Sequence, residues 1–254
     1  MKYSDFEKYV SPRVANEWLN AANSNKRLAI QLYILFQRLS GQMYIVIGVL
    51  ETVLRNTIDT TLASMYGSNW IIDSISTNGF FSNQSAFNEI RTIIKTAIAH
   101  IHSKRMKYTH LNVLNNLEFG FWRYLFYKKN YIATGQCLMR IFTNKDVKTT
   151  DGNLVNQTFI YKELTKINQL RNRIAHYDIS PIEALNMIII HNELYIIERL
   201  LSWLGCSSPY KLNCVVNANK TINEIKKKVR KYEIISDIRT LNQERYNTTN
   251  DVSK

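Results

Sequence analysis

A chain of 254 residues with 45% hydrophobic and 21% charged side chains can bury a sizeable core and is too apolar to be disordered. Its 8 glycines and 3 prolines exclude a hidden glycine-rich phosphate loop and favour long helices joined by few turns. Lys and Arg number 33 against 20 acids, a net +13, which biases the partner toward an anion such as nucleic acid or an acidic membrane surface.

The N-terminal "MKYSDFEKYV" has no apolar signal core, and the longest apolar run, "MYIVIGVL", falls well short of the ~18 residues of a spanning helix. Cys137, Cys206 and Cys214 form no CxxC pair. A soluble cytoplasmic protein without a membrane partner is therefore expected.

Residues 13–66 read as helix almost throughout. Leu28, Leu32, Leu35, Leu39, Met43, Ile47, Leu50, Leu54 and Ile58 recur three and four apart, one face of a 3.6-residue period. Ser11-Pro12 opens this stretch, a break is placed near Gly41 if it is two helices, and Gly67 in "YGSNW" serves as the C-cap. After the polar "STNGFFSNQS", helix resumes near Ser85, with an aromatic-rich helix over 111–127 and another over 131–142. "NKDVKTTDGN" (144–153) is a surface loop. From 156 the helical period returns in Phe159, Leu164, Ile167, Leu170 and Ile174. Ser180-Pro181 starts a helix running to about Trp203, and a basic segment over 218–245 carries eight Lys/Arg against four acids. No alternating strand pattern emerges. The expectation is an all-α fold of long helices without significant β-sheet: a helical domain over 1–205, a basic C-terminal helical segment over 206–246 packed on or beside it, and a disordered tail over 247–254.

The densest polar motif is "LRNRIAHYDISP" (170–181), which places Arg171, Asn172, Arg173 and His176 at the end of an apolar helix. At about 100° per residue, Asn172 and His176 share a face, while Arg171 and His176 diverge by roughly 140° and converge only where the helix ends. Arg and His there also complement the helix dipole, so a purely structural reading stays open. The same groups suit metal-free RNA cleavage, in which the ribose 2′-hydroxyl attacks the adjacent phosphate. Histidine titrates near neutral pH and moves the protons, and arginine supplies fixed charge and a planar fork where negative charge builds. Asparagine supplies an amide to orient the histidine or hold an oxygen.

This motif resembles the R-N-x-x-x-H signature of the HEPN superfamily, and the Abi-like (abortive infection) branch in particular. "LETVLRNTID" (50–59) resembles that branch's L-E-x-x-L-R-N segment, "LYILFQRLSGQMY" the stretch before it, "YGSNWI" its Y-G-x-x-W and "LEFGFWRYLF" (117–126) its F-G-F-W element, all in family order. The resemblance implies a HEPN-like helical bundle and a metal-independent endoribonuclease acting in phage defence or a toxin–antitoxin pair. It also implies a homodimer that joins two motifs in one cleft. Arg171, Asn172 and His176 carry over as catalytic residues, and no cofactor or metal is expected.

Glu51, Arg55 and Asn56 are supporting candidates. Glu51 and Arg55 lie four apart on an apolar helix, either as an ion pair that fixes register or as a polar wall beside the catalytic groups. Arg173, with the clusters Lys104, Arg105 and Lys226, Lys227, Lys228, Arg230, gives candidate RNA contacts, though such runs are usually solvated faces. Phe119, Phe121, Trp122 and Tyr124 could stack bases, but aromatics at helical spacing are more often core, and the core reading is taken. His100 and His102 lack metal-ligand spacing, and His110 and His191 read as surface or packed histidines. The expected partners are RNA, as substrate or as a non-coding antitoxin, a second copy of the chain, and a protein antitoxin. Two rivals stand beside the nuclease: an RNA-binding module without turnover, and a helical protein whose basic face meets an acidic partner.

Overall fold

The computed structural model describes residues 1–176, 180–186 and 193–231. In chain order the helices are α1 (Tyr3–Val10), α2 (Pro12–Ala21), α3 (Lys26–Tyr66), α4 (Trp70–Ser74), α5 (Asn88–Ser103), α6 (His110–Asn115), α7 (Phe119–Tyr124), α8 (Lys128–Ala133), α9 (Gln157–Ala175), α10 (Pro181–Asn186), α11 (Glu193–Trp203) and α12 (Asn213–Lys231), with 3₁₀ turns at Cys137–Ile141 and Pro209–Lys211. The fold is all-α. The only β-type pairing among the described residues is an isolated bridge between Lys148 and Leu154, inside the expected surface loop.

The long apolar period is one helix of 41 residues that runs unbroken through Gly41 and Gly48. The break falls earlier, after α2, where Asn23 and Ser24 adopt left-handed φ of 49° and 61°. Asn25 then restarts the helix, its Oδ1 accepting the Leu28 N–H at 3.0 Å. The predicted row from Leu28 to Ile58 is buried throughout. Each such side chain contributes about 1.5–3 kcal/mol when withdrawn from water, which outweighs two glycines at about 1 kcal/mol each. Gly67 ends α3 as predicted, at φ +90° with its N–H on the Ala63 carbonyl. An 18-residue window of α3 reaches a mean hydropathy of 1.2, so by length and composition alone this helix could cross a membrane; 44% of that window is buried.

The expected helix over 111–127 divides into α6 and α7. Asparagine side chains bond to the backbone at both ends of α6: Asn112 Nδ2 donates to the Lys107 carbonyl at 2.6 Å before its start, and Asn116 Nδ2 to the Asn112 carbonyl at 2.8 Å at its end, where the division falls. The stretch over 131–142 likewise resolves into the end of α8 and a 3₁₀ turn. Of the expected helix from Pro181 to Trp203, α10 and α11 are described; Ile188, Ile189 and His191 lie outside the described residues, as do 232–246 of the basic segment and the 247–254 tail.

The described residues pack as two units, each assembled from separated stretches: one from those within 1–46, 173–195 and 210–231, the other from 47–172 and 196–209. In the first, Phe6 and Trp18 meet Tyr33 edge-on at 5.2 and 5.9 Å, and α12 is tied to the first half of α3 by Arg38–Glu224 and Lys228–Gln31. In the second, Asp59 Oδ1 on α3 accepts Trp70 Nε1 of α4 and meets His110 Nε2 of α6, both at 2.8 Å. One carboxylate thus joins three helices. Buried Arg91 donates to the Ile75 and Phe81 carbonyls, holding the loop before α5. A Cβ at Gly79 in that loop would overlap the Asp73 and Ser74 carbonyls, so only glycine fits.

Candidate functional site

Asn156 caps α9, its Oδ1 accepting the Phe159 N–H at 3.0 Å. Ile160, Leu164, Ile167, Leu170 and Ile174 form its buried face. That face fixes where the polar residues go. Arg171 is half-buried, Asn172 is exposed, and His176 is exposed immediately beyond the last helical residue. The helix therefore ends one residue before His176, where the spacing of the motif leads one to expect a terminus. The boundary between the two units falls between Asn172 and Arg173.

Arg171 gathers what the sequence keeps far apart. Its Nη1 donates to Asn172 Oδ1 at 3.2 Å and lies 3.8 Å from Glu118 Oε2. Glu51, 120 positions earlier, is half-buried beside it. Burial pushes the Glu51 carboxyl above the ordinary carboxylate value. Arg171 is the strongest force pulling it back, followed by Arg55, while Glu118 adds to the rise; the Phe119 N–H that Glu51 accepts lowers it further. Glu51 is thus coupled more strongly to Arg171 than to Arg55, its neighbour one turn along α3. Arg55 Nε instead donates to Asn56 Oδ1 at 3.2 Å.

Glu51, Arg55 and Glu118 line a groove of about 1440 Å³ within the second unit. Arg123, Tyr124, Tyr127, Lys129 and Tyr161 line it as well. Phe119, Phe121 and Trp122 are core, as expected, but Tyr124 is not: it is half-buried on the groove, because α7 turns its neighbours inward. Glu118, Tyr127 and Tyr161 were missed by sequence reasoning, whereas Tyr124 was considered for base stacking and read as core. Glu118 could have been found as the lone acid of "LEFGFW"; Tyr127 and Tyr161 carry no local signal, since only the fold brings them together.

The remaining basic candidates lie elsewhere. Lys104 and Arg105 are exposed just after α5 in the second unit, Arg105 at φ +52°. Lys226, Lys227, Lys228 and Arg230 sit on α12 in the first unit, where Lys227 and Arg230 are exposed. Lys228 Nζ donates to Gln31 Oε1 at 3.1 Å, so its ammonium is engaged in packing. Arg173 lies in the first unit. Among the described residues no group of three His, Cys, Asp or Glu side chains could hold a metal ion.

No family model, curated protein or solved structure matches the chain.

Proposed function

We propose that the protein is a metal-independent endoribonuclease of the Abi-like HEPN kind, an RNA-cutting toxin of phage defence or of a toxin–antitoxin system, acting as a cytoplasmic homodimer. One observation carries the reading. Glu51 of the L-E-x-x-L-R-N segment lines a groove, and the charge of Arg171, 120 positions later in the R-N-x-x-x-H motif, favours the ionised form of its carboxyl, with His176 exposed just beyond the end of α9. Two independent elements of the resemblance thus bear on one place.

In this reading His176 removes the proton from a ribose 2′-hydroxyl and returns one to the leaving 5′-oxygen. Arg171 stabilises the negative charge that accumulates on the pentavalent phosphorus centre. Asn172 holds Arg171 through its carbonyl, and its amide N–H groups are available to a phosphoryl oxygen. Glu51 orients the guanidinium, and Glu118 occupies it until a phosphate takes its place. The products carry 2′,3′-cyclic phosphate and 5′-hydroxyl ends. A toxin must be silenced, and the charge of +13 suits an RNA antitoxin as well as an RNA substrate.

A second reading is favoured by one feature: Arg171 is already met by Glu118 and Asn172, as befits a motif that grips without turnover. Incubating purified, inhibitor-free protein with RNA in EDTA separates the two. The nuclease yields cyclic-phosphate ends that vanish in His176→Ala. RNA left equally intact by both proteins refutes catalysis.

A further inference from the structure

The groove wall is aromatic as well as ionic. The Tyr124 and Tyr127 rings are nearly parallel, 9° apart in plane with centroids 5.5 Å apart, and Tyr161 stands 5.5 Å from Tyr127 at 52°. Cations brace them: Arg123 lies 6.0 Å from the Tyr124 ring and 5.7 Å from Tyr161, and the Lys129 ammonium 5.8 Å from Tyr127. The backbone that carries the rings is pinned. Buried Asn130 donates to the Tyr124 carbonyl at 2.8 Å, and Gln157 donates to the Phe126 carbonyl. Arg123 Nη1 reaches Tyr161 Oη and Thr165 Oγ1 at 3.3 Å, while its buried Nε has no acceptor among the described residues. Yet Tyr127 keeps 39% of its surface open.

Charge decides what such a wall is suited to hold. Glu51, Glu89 and Glu118 balance Arg55, Arg123 and Lys129 along the groove, so a phosphate backbone gains little there. An uncharged π-face gains from every ring, and a preordered tyrosine pair costs little entropy to use. The volume exceeds the roughly 300–1,000 Å³ of a small-molecule pocket, which suits a strand more than a metabolite.

We infer that Tyr124, Tyr127 and Tyr161 form a stacking subsite for unpaired nucleobases of an RNA single strand. The inference rests on the RNA reading above and narrows it: duplex RNA, whose bases are stacked on each other, is excluded from the groove. A base laid on Tyr127 extends the tyrosine pair into a three-ring stack.

The test uses full-length protein in a His176→Ala background, so that binding is read without turnover. Fluorescence anisotropy compares a labelled single-stranded oligoadenylate with the same strand annealed to its complement. The single strand is expected to bind more tightly. Tyr127→Leu is expected to weaken it on the order of tenfold, while Tyr127→Phe, which keeps the ring, retains it. Equal affinity in Tyr127→Leu, or equal affinity for the duplex, overturns the subsite and leaves the RNA reading standing. Failure of the parent protein to bind either form removes both. If Tyr127→Leu does not fold, ultraviolet crosslinking of the oligonucleotide to the parent protein decides. Adducts on Tyr124, Tyr127 or Tyr161 support the subsite; adducts found only elsewhere overturn it.

Discussion

The end of α9 and the surface of α12 are both rich in cations, yet the two regions handle charge differently. At α9, Arg171 is half-buried and meets Glu118 and Asn172, with half-buried Glu51 beside it. On α12, Val215, Ala218, Ile222, Ile225 and Val229 are buried, while Lys227 and Arg230 project into solvent. Partial burial strengthens the interaction of Arg171 with Glu51 at the first place, and water screens the exposed cations at the second. Counting cations along the sequence ranks the two alike. Pairing and burial separate a positioned guanidinium from a diffuse electrostatic surface, and perturbed ionisation marks the first kind.

Substituting in each region in turn should break the symmetry that the sequence suggests. Arg171→Ala is expected to lower RNA cleavage on the order of 10²–10³-fold, the usual consequence of losing a positioned donor to the transition state. Lys227→Ala with Arg230→Ala is expected to leave the cleavage step itself unchanged and to weaken RNA binding. The slope of log affinity against log salt should then flatten by about 0.7 for each phosphate of a single strand that is no longer neutralised. Single-turnover cleavage and a salt titration measure the two effects. Matching losses in both variants would erase the distinction between the regions.

A smaller effect sharpens the comparison through pH. Burial holds the Glu51 carboxyl above the ordinary carboxylate value despite Arg171 and Arg55. Ionising it therefore costs folding stability. The penalty is fully present above the raised value and vanishes as pH falls through it toward the value of the unfolded chain. Glu51→Gln is expected to melt at a higher temperature than the parent near neutral pH, with the two curves meeting in the ordinary carboxylate range. If the variant melts lower at neutral pH, attraction to Arg171 outweighs desolvation and the site is held together by charge after all.

Much of this architecture is legible in the residues. The row from Leu28 to Ile58 specified α3, and Gly67 its end, because apolar periodicity and a left-handed cap are local properties. The break at Asn23 and the division of the 111–127 stretch were not legible. At both, asparagine side chains bond to backbone groups, a choice that tertiary contacts decide. At the site, Arg171, Asn172, His176 and Glu51 were identifiable from spacing and resemblance. Glu118, Tyr127 and Tyr161 were not, since they meet Arg171 or Tyr124 only when α7, the turn after it and α9 are packed in the second unit; Tyr124 was considered for stacking but read as core.

Glu118 supplies the finest discrimination. Its side chain is 78% exposed and its separation from Arg171 is 3.8 Å, so the pair adds little to stability, within the roughly 0–1 kcal/mol of surface ion pairs. It nevertheless competes with any phosphate for the guanidinium. Glu118→Gln is therefore expected to leave the melting temperature nearly unchanged while tightening RNA binding by a few-fold at low salt, an advantage that shrinks as salt rises. A binding titration at two ionic strengths measures it. Weaker RNA binding in Glu118→Gln would mean that the carboxylate positions Arg171 for its ligand, and the guanidinium would then belong to a preorganised pair whose two members cannot be separated.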